Sequence, residues 1–471
     1  MNLGKKLSTD VLVTTVLNFA TRLRGIVFIP VISGILGIAA YGAYSQLLAV
    51  TSLLAVIFEL GLHGSLVRYA QGGDDTTELY YSLTVFAVIV GVIIAVILYV
   101  AATPLSNLTL GSSEYAVVFQ IGSVLVPLRI WGKMAGNYFR SEMRVKSFSG
   151  LKTARAYFSI GGVLVVLFLF NYELPAVISV VVCVELLYVL FIQGIVTHRL
   201  GIASPSFEGF IKYLRYSIPL MTSIVASNIS SRVDRILVGI FLGSSAVGIY
   251  TISYQIATSI SLLQNPITNS FFPEFSRLIE ENKVEKCLHY QTQGVRYYIG
   301  LGLPAIGGLY LIGPDIVQRL STVTAAESSV VLLPIISIGI FISSLDRIYG
   351  VLLVAAEKTK LLTYLRGIGA TANIFLNIIF IPILGIVGAA VATALTYGLV
   401  FLLLFYKTSS TFNITFNYLF FTKSAIASVL MVIFVIQSGL ENLFSIIAIS
   451  VIFYTIMLYV MNGYTISEFK I

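Results

Sequence analysis

The sequence predicts an all-α, polytopic membrane protein of about fourteen transmembrane helices, arranged as two six-helix bundles in parallel repeat with two helices appended at the C-terminus. Three observations carry this. Of 471 residues, 57% are hydrophobic and only 11% charged, with a mean hydropathy of +0.95, whereas soluble domains run near 45–50% apolar and about 25% charged. The apolar excess is spread over the whole chain in runs of the roughly 20 residues that cross a bilayer. One motif also returns once, in the same orientation.

Taken in order, hydropathy and loop signals place spans near 10–34, 42–66, 80–102, 115–137, 154–170, 176–197, 217–241, 247–270, 294–313, 330–354, 362–381, 386–406, 422–438 and 443–461. No A-x-A-like cleavage site follows the first apolar run, so it reads as a retained helix. Lys and Arg then set the orientation. Twenty-one of them, including Lys5, Lys6, Arg68, Arg140, Arg144, Lys152, Arg155, Arg277 and Lys470, fall on one side, against Arg319 alone on the other. Both termini are therefore expected in the cytoplasm. Most of the formal charge of +8 is a topology signal, which removes nucleic acid as a partner.

The repeat lies in "GILGIAAYGAYSQ" (34–46) and "FLGSSAVGIYTISYQ" (241–255). Gly37, Gly42 and Tyr44 match Gly243, Gly248 and Tyr250 at a constant offset of 206 residues. Each copy sits at an external turn between the first two helices of a six-helix set, so span 1 corresponds to span 7 and span 4 to span 10. This divides the chain into 1–200, 201–410 and an appended 411–471.

Seven cations remain inside spans: Arg22 and Arg24 in span 1, Arg129 and Lys133 in span 4, Arg232 and Arg235 in span 7, and Arg347 in span 10. Each costs roughly 2.5–3.5 kcal/mol in hydrocarbon even on the lenient insertion scale. All seven fall in repeat-related helices. Arg129 and Lys133 share a helix face at i,i+4, as do Arg232 and Arg235 at i,i+3. Lys133 and Arg347 lie nearer the cytoplasmic end, where a long side chain can snorkel. The membrane acids are Glu59, Glu185, Asp234 and Asp346; if every one is paired, three cations stay unmatched. Ion pairs that merely lock helices together would not leave that excess. A water-filled, positively charged cavity would, and Arg in particular binds phosphate or carboxylate bidentately. Glu59, Asp234 and Asp346 are candidates for ion coupling or for pairing with these cations.

The stretch "LRYSIPLMTSIVASNISSRVDRILVGIFLGSSAVGIYTISYQIATSISLLQNPITNSFFPEFSRL" (214–278) resembles the centre of Wzx-type polysaccharide flippases, of the multidrug/oligosaccharidyl-lipid/polysaccharide exporter superfamily. "RLRGIVFIPVISGILGIAAYGAYSQLLAV", "ELGLHGSLVRYA" and "GATANIFLNIIFIPILGIVGAAVATALTYG" fit the same pattern. The resemblance implies a V-shaped transporter that alternates between inward and outward openings. Its cargo would be a polyprenyl-(pyro)phosphate-linked oligosaccharide, carried to the outer leaflet of a prokaryotic plasma membrane. It also implies that Arg24 with Arg232 or Arg235 receives the lipid phosphate. Glycosyltransferases and a polymerase of the same pathway are the protein partners it suggests.

Gly25, Pro30, Gly34, Pro127 and Pro334 offer kink sites for such a motion. No cofactor motif is present, and coupling to H+, Na+ or the membrane potential stays open. Fourteen helices also fit the lipid II flippase branch, in which the last two help form a lipid-facing groove. A multidrug or cation antiporter shares the fold but calls for an acidic cavity. An enzyme is not expected: the longest outer connection, roughly 314–329, is too short for a catalytic loop, and His63, His198 and His289 lie far apart. Finally, "FPEFSRLIEENKVEKCLHY" (272–290) reads as an amphipathic surface helix through Phe275, Leu278 and Ile279.

Overall fold

In a computed structural model, residues 17, 20–21, 24–70, 76–141, 145–170 and 173–463 are described, and among them the regular structure is entirely helical. Arg22 lies outside the described residues, as do Lys5, Lys6, Arg144 and Lys470.

Among the described residues eleven helices are long and apolar enough to cross a membrane, from Ile38–Phe58 to Leu443–Val460. A bent pair, Ser244–Leu262 and Asn265–Glu280, makes a twelfth span broken by 44°. Two further segments stand where the sequence expects spans. Arg24–Leu36 is the described part of the first. Ile211–Leu242 is long enough at 32 residues and is set apart by Arg232, Asp234 and Arg235 within it. The polytopic, all-helical class therefore holds, with boundaries shifted outward.

The largest shift corrects the expected outer connection at 314–329. Val284–Leu320 runs on through Pro304 and Pro314, and Val323–Ala355 begins two residues later, capped by the Thr322 hydroxyl. Both helices simply extend beyond the predicted apolar windows. The expected surface helix at 272–290 is likewise divided. Asn265–Glu280 buries Phe275 and Leu278, the chain turns at Asn282 with φ 57°, and Val284 opens the next helix. On its exposed face Arg277 bonds Glu274 and Glu281, and the Lys283 ammonium, ahead of Arg277, holds the Glu281 carboxyl below its ordinary range.

The chain forms two compact units, Met1–Gly248 and Ile249–Ile471. This boundary differs from the repeat boundary near 200, because Ile211–Leu242, which opens the second repeat copy, packs along Ile38–Phe58 and Leu62–Tyr69. The first unit also pairs Thr76–Val100 with Leu125–Ser141, and Val145–Leu169 with Leu174–Leu200. In the second unit Val323–Ala355 packs on Ile386–Phe412 and Val284–Leu320, and the last two helices dock through Tyr418–Gln437 onto Val284–Leu320.

The repeated motif has a structural cause. Gly37 (φ 88°) and Gly243 (φ 80°) are single-residue breaks between helices, in a backbone region that penalises a Cβ. Tyr44 and Tyr250 are buried. Between them the second glycines make a reciprocal contact: a Cβ on Gly42 would meet the Ser244 carbonyl, and one on Gly248 would meet that of Ile38. Ile38 and Ser244 are themselves 206 residues apart, so the crossing has the i-to-j, j-to-i form of a two-fold contact. The first helix carries its own irregularity, a π-helical turn at Ile29–Ser33 around Pro30, at one of the expected kink sites.

The appended hairpin is fastened at its end. Arg296 stands over the Phe420 ring at 4.9 Å and donates to the Gly463 carbonyl at 2.5 Å, while Lys423 donates to Asn462 at 3.1 Å. Both cations bond carbonyls just beyond the C-terminus of Leu443–Val460, beside its negative pole. Replacing both with alanine is expected to cost about 1–3 kcal/mol. The readout is hydrogen exchange, which should accelerate selectively over 455–463.

Candidate substrate-binding site

The first unit gathers most of its membrane charges in one place. Ile38–Phe58 ends in a turn with Leu60 and Gly61 at positive φ, which brings His63, on Leu62–Tyr69, back to Glu59. Glu59 is 1% exposed; its Oε1 lies 2.6 Å from His63 Nδ1 and its Oε2 2.5 Å from Lys133 Nζ. One turn along the same face as Lys133, Arg129 donates to the Thr51 and Ser52 hydroxyls at 2.7 Å each and to the Leu48 carbonyl. Arg155 closes the cluster with a two-oxygen bond to Glu185, at 2.7 and 3.0 Å, and stands over Tyr188.

These side chains border a cavity of about 310 Å³ lined by His63, Arg129, Lys133, Lys152, Arg155 and Glu185, with Asn137 and Tyr188 beside them. Four cations thus face two carboxylates, Glu185 in the lining and Glu59 behind Lys133. Arg24, which stands over Phe28 at 5.0 Å, lies close enough to Arg129 for their charges to repel. Arg24, Arg129 and Lys133 are therefore neighbours in one basic region. An anion is the guest such a site can stabilise, since low dielectric strengthens every charge interaction inside it.

The seventh-span charges lie elsewhere in the same unit. Arg232 bonds the Asn228 side chain. Asp234 is fully buried, and its carboxylate accepts from the backbone N–H of Arg235. The Arg235 charge reaches Tyr41. In the second unit Asp346 lies near Arg366 and Arg347, and one of its oxygens is buried without a hydrogen bond. That unit also holds an apolar hollow of about 830 Å³ lined by Leu263, Leu301, Pro304, Leu309, Val451 and Tyr459, with further residues of the last helix.

Sequence reasoning missed His63, Lys152, Arg155 and Glu185 as site residues. It places Arg155 among cytoplasmic cations at the very start of a span. The helix in fact begins at Val145, which carries Arg155 a full two turns inside. The turn at Leu60 and Gly61 hides His63, because helical spacing does not apply across it.

The polysaccharide biosynthesis protein family matches residues 7–279, and the MatE family matches 219–379. A probable low-salt glycan biosynthesis flippase of Haloferax volcanii is 24% identical over 383 residues, covering 81% of this chain and 79% of its own. A probable flippase of the same organism is 27% identical, covering 77% and 75%. Among solved structures, lipid II flippase MurJ in an inward closed conformation superposes with a TM-score of 0.82 at 15% identity, covering 95% of this chain and 98% of that one. With more than half its length matched, the chain belongs to the polysaccharide biosynthesis protein family.

Proposed function

We propose that this protein flips polyprenyl-(pyro)phosphate-linked oligosaccharide from the cytoplasmic to the outer leaflet of a prokaryotic plasma membrane by alternating access, in the assembly of cell-surface polysaccharide or glycoconjugate. The observation that carries the reading is the cluster of Arg129, Lys133, Lys152 and Arg155 around a cavity of about 310 Å³, with the Arg24 charge close to Arg129. A (pyro)phosphate is the anionic group that a lipid-borne glycan presents at that depth. The relative named as a low-salt glycan biosynthesis flippase supports a glycan cargo, and the second relative is named as a flippase. A multidrug antiporter is disfavoured, because an organic cation entering this cavity would be repelled.

The headgroup binds the arginines while the polyprenyl tail remains in lipid. Arg232 and Arg235, on the repeat-related helix and outside this cavity, supply a second contact to the phosphate, and both termini stay in the cytoplasm. One observation favours a second reading, a lipid II-type flippase: the last helix lines the 830 Å³ apolar hollow, which has the chemistry to hold a long tail. The two readings share a mechanism and differ in cargo.

The deciding experiment is deletion of the gene followed by analysis of lipid-linked saccharides by leaflet. Trapping of a polyprenyl-linked oligosaccharide in the cytoplasmic leaflet is expected; trapping of a peptidoglycan precursor selects the second reading. Unchanged lipids with altered sensitivity to cationic drugs would overturn both. Within the site, Arg232→Glu is expected to abolish export while the protein still inserts, and a fully active variant removes Arg232 from the phosphate site.

A further inference from the structure

We infer that Glu59, His63 and Lys133 form a proton site coupled to anion capture, in which a proton on His63 releases Lys133 from Glu59 to serve the headgroup. The inference rests on the phosphate-binding reading of the adjoining cavity. Glu59 is buried to 1% exposure, and both its oxygens are engaged: Oε2 by Lys133 Nζ at 2.5 Å, Oε1 by His63 Nδ1 at 2.6 Å and by the His63 backbone N–H at 2.8 Å. One negative charge thus has two claimants. While His63 is neutral, Lys133 alone balances Glu59. Histidine is the side chain whose charge changes between pH 5 and 8. Once protonated, its ring keeps the Nδ1–H bond to Glu59 and supplies the balancing charge, so that Lys133 becomes surplus there.

Lys133 is the cation built for that exchange. Its ammonium is a compact charge on a flexible stem, its side chain is 30% exposed, and it lines the cavity. Arg155 is tied to both oxygens of Glu185, and Arg129 to two hydroxyls and a carbonyl, so neither has a competing partner that a proton could bring. A sodium ion fits the same place poorly, because the carboxylate oxygens it would need already accept from three N–H donors.

The surrounding charges fix the sign of the coupling. From Leu125–Ser141, Arg129 and Lys133 face the cavity that His63 lines; from Val145–Leu169, Lys152 and Arg155 do so; and from Leu174–Leu200, Glu185 and Tyr188. On the helix of His63 itself, Arg68 is turned away over Tyr69 and Tyr216, and from Ile211–Leu242 Lys212 lies over Tyr69 and Tyr213. From Thr76–Val100, the Tyr80 hydroxyl is engaged by Gln193. The excess of cations opposes a further positive charge on His63 while the cavity is empty. A bound anion removes that opposition. Proton and anion therefore favour each other's binding, and the linkage is reciprocal. The loaded site carries one negative charge fewer than the headgroup brings.

The test uses the full-length protein in detergent with farnesyl-diphospho-N-acetylglucosamine, whose doubly esterified diphosphate keeps its charge across the range. Wild-type affinity is expected to rise about tenfold from pH 8 to pH 6, within the limit of tenfold per pH unit for one linked proton. His63→Gln keeps a hydrogen-bond donor for Glu59 and no titratable charge; its affinity is expected to show no pH dependence. A pH-independent wild type, or a His63→Gln variant with the wild-type slope, overturns the proton site alone. Failure of both proteins to bind at every pH overturns the lipid-phosphate reading and the coupling with it. Should His63→Gln not fold, imidazole NMR of the wild type decides. With three histidines in the chain, His198→Gln and His289→Gln isolate the His63 signal. It is expected to shift when the probe is added; a signal unmoved by the probe overturns the proposal.

Discussion

Gly42→Val is expected to eliminate export and to lower the melting temperature of the purified protein. A Cβ at Gly42 would lie 1.8 Å from the Ser244 carbonyl oxygen and 3.0 Å from the Gly248 nitrogen, and one at Gly248 would lie 2.4 Å from the Ile38 carbonyl oxygen. All these obstacles are backbone atoms, which cannot rotate aside as a side chain does, so the helices must part. Overpacking in a close-packed region costs typically 1–3 kcal/mol, and a backbone collision belongs at the upper end. Gly248→Val should do the same, because the contact is reciprocal. Gly34→Ala is the control, since nothing lies within 4 Å of a Cβ there. Export by complementation and thermal unfolding in detergent give the two readings; an active, wild-type-stable Gly42→Val would show that the crossing is not needed.

The second large effect is expected from Lys133→Ala. It leaves the Glu59 carboxylate buried with His63 as its remaining partner. Breaking a buried ion pair from one side costs about 3–5 kcal/mol. The 30% exposure of Lys133 lets water reach part of the pair and places the loss near the lower figure. Lys133→Ala combined with Glu59→Gln removes the stranded charge and should recover most of that loss. A double-mutant cycle by thermal unfolding measures the difference. If the double variant is no more stable than Lys133→Ala, the two residues are not coupled.

Much of the fold was legible because the bilayer demands long apolar helices. The repeated glycines were legible for a stronger reason: Gly37, Gly42 and Tyr44 recur at one offset because both copies meet the same steric demand. The site was only half legible. Arg129 and Lys133 share a face, and spacing alone says so. That Lys133 and His63 both bond Glu59 depends on the turn at Leu60 and Gly61, which no helical period describes. Arg155 was hidden by a helix that starts nine residues before the apolar window does. The supposed outer loop at 314–329 failed similarly, since polar residues can extend a helix past the membrane as readily as they can end it.

The connections between helices have a consequence for how cargo is recognised. Single glycines separate the helices at Gly37, Gly243 and Gly385, and two residues, Ser321 and Thr322, separate another pair. Turns this tight leave no loop domain between the helices at those four points. Sugars far from the lipid end would find little there to grip. At these points discrimination between long glycans rests on the groups nearest the phosphate, and variation at the distal end of the chain is expected to be tolerated there.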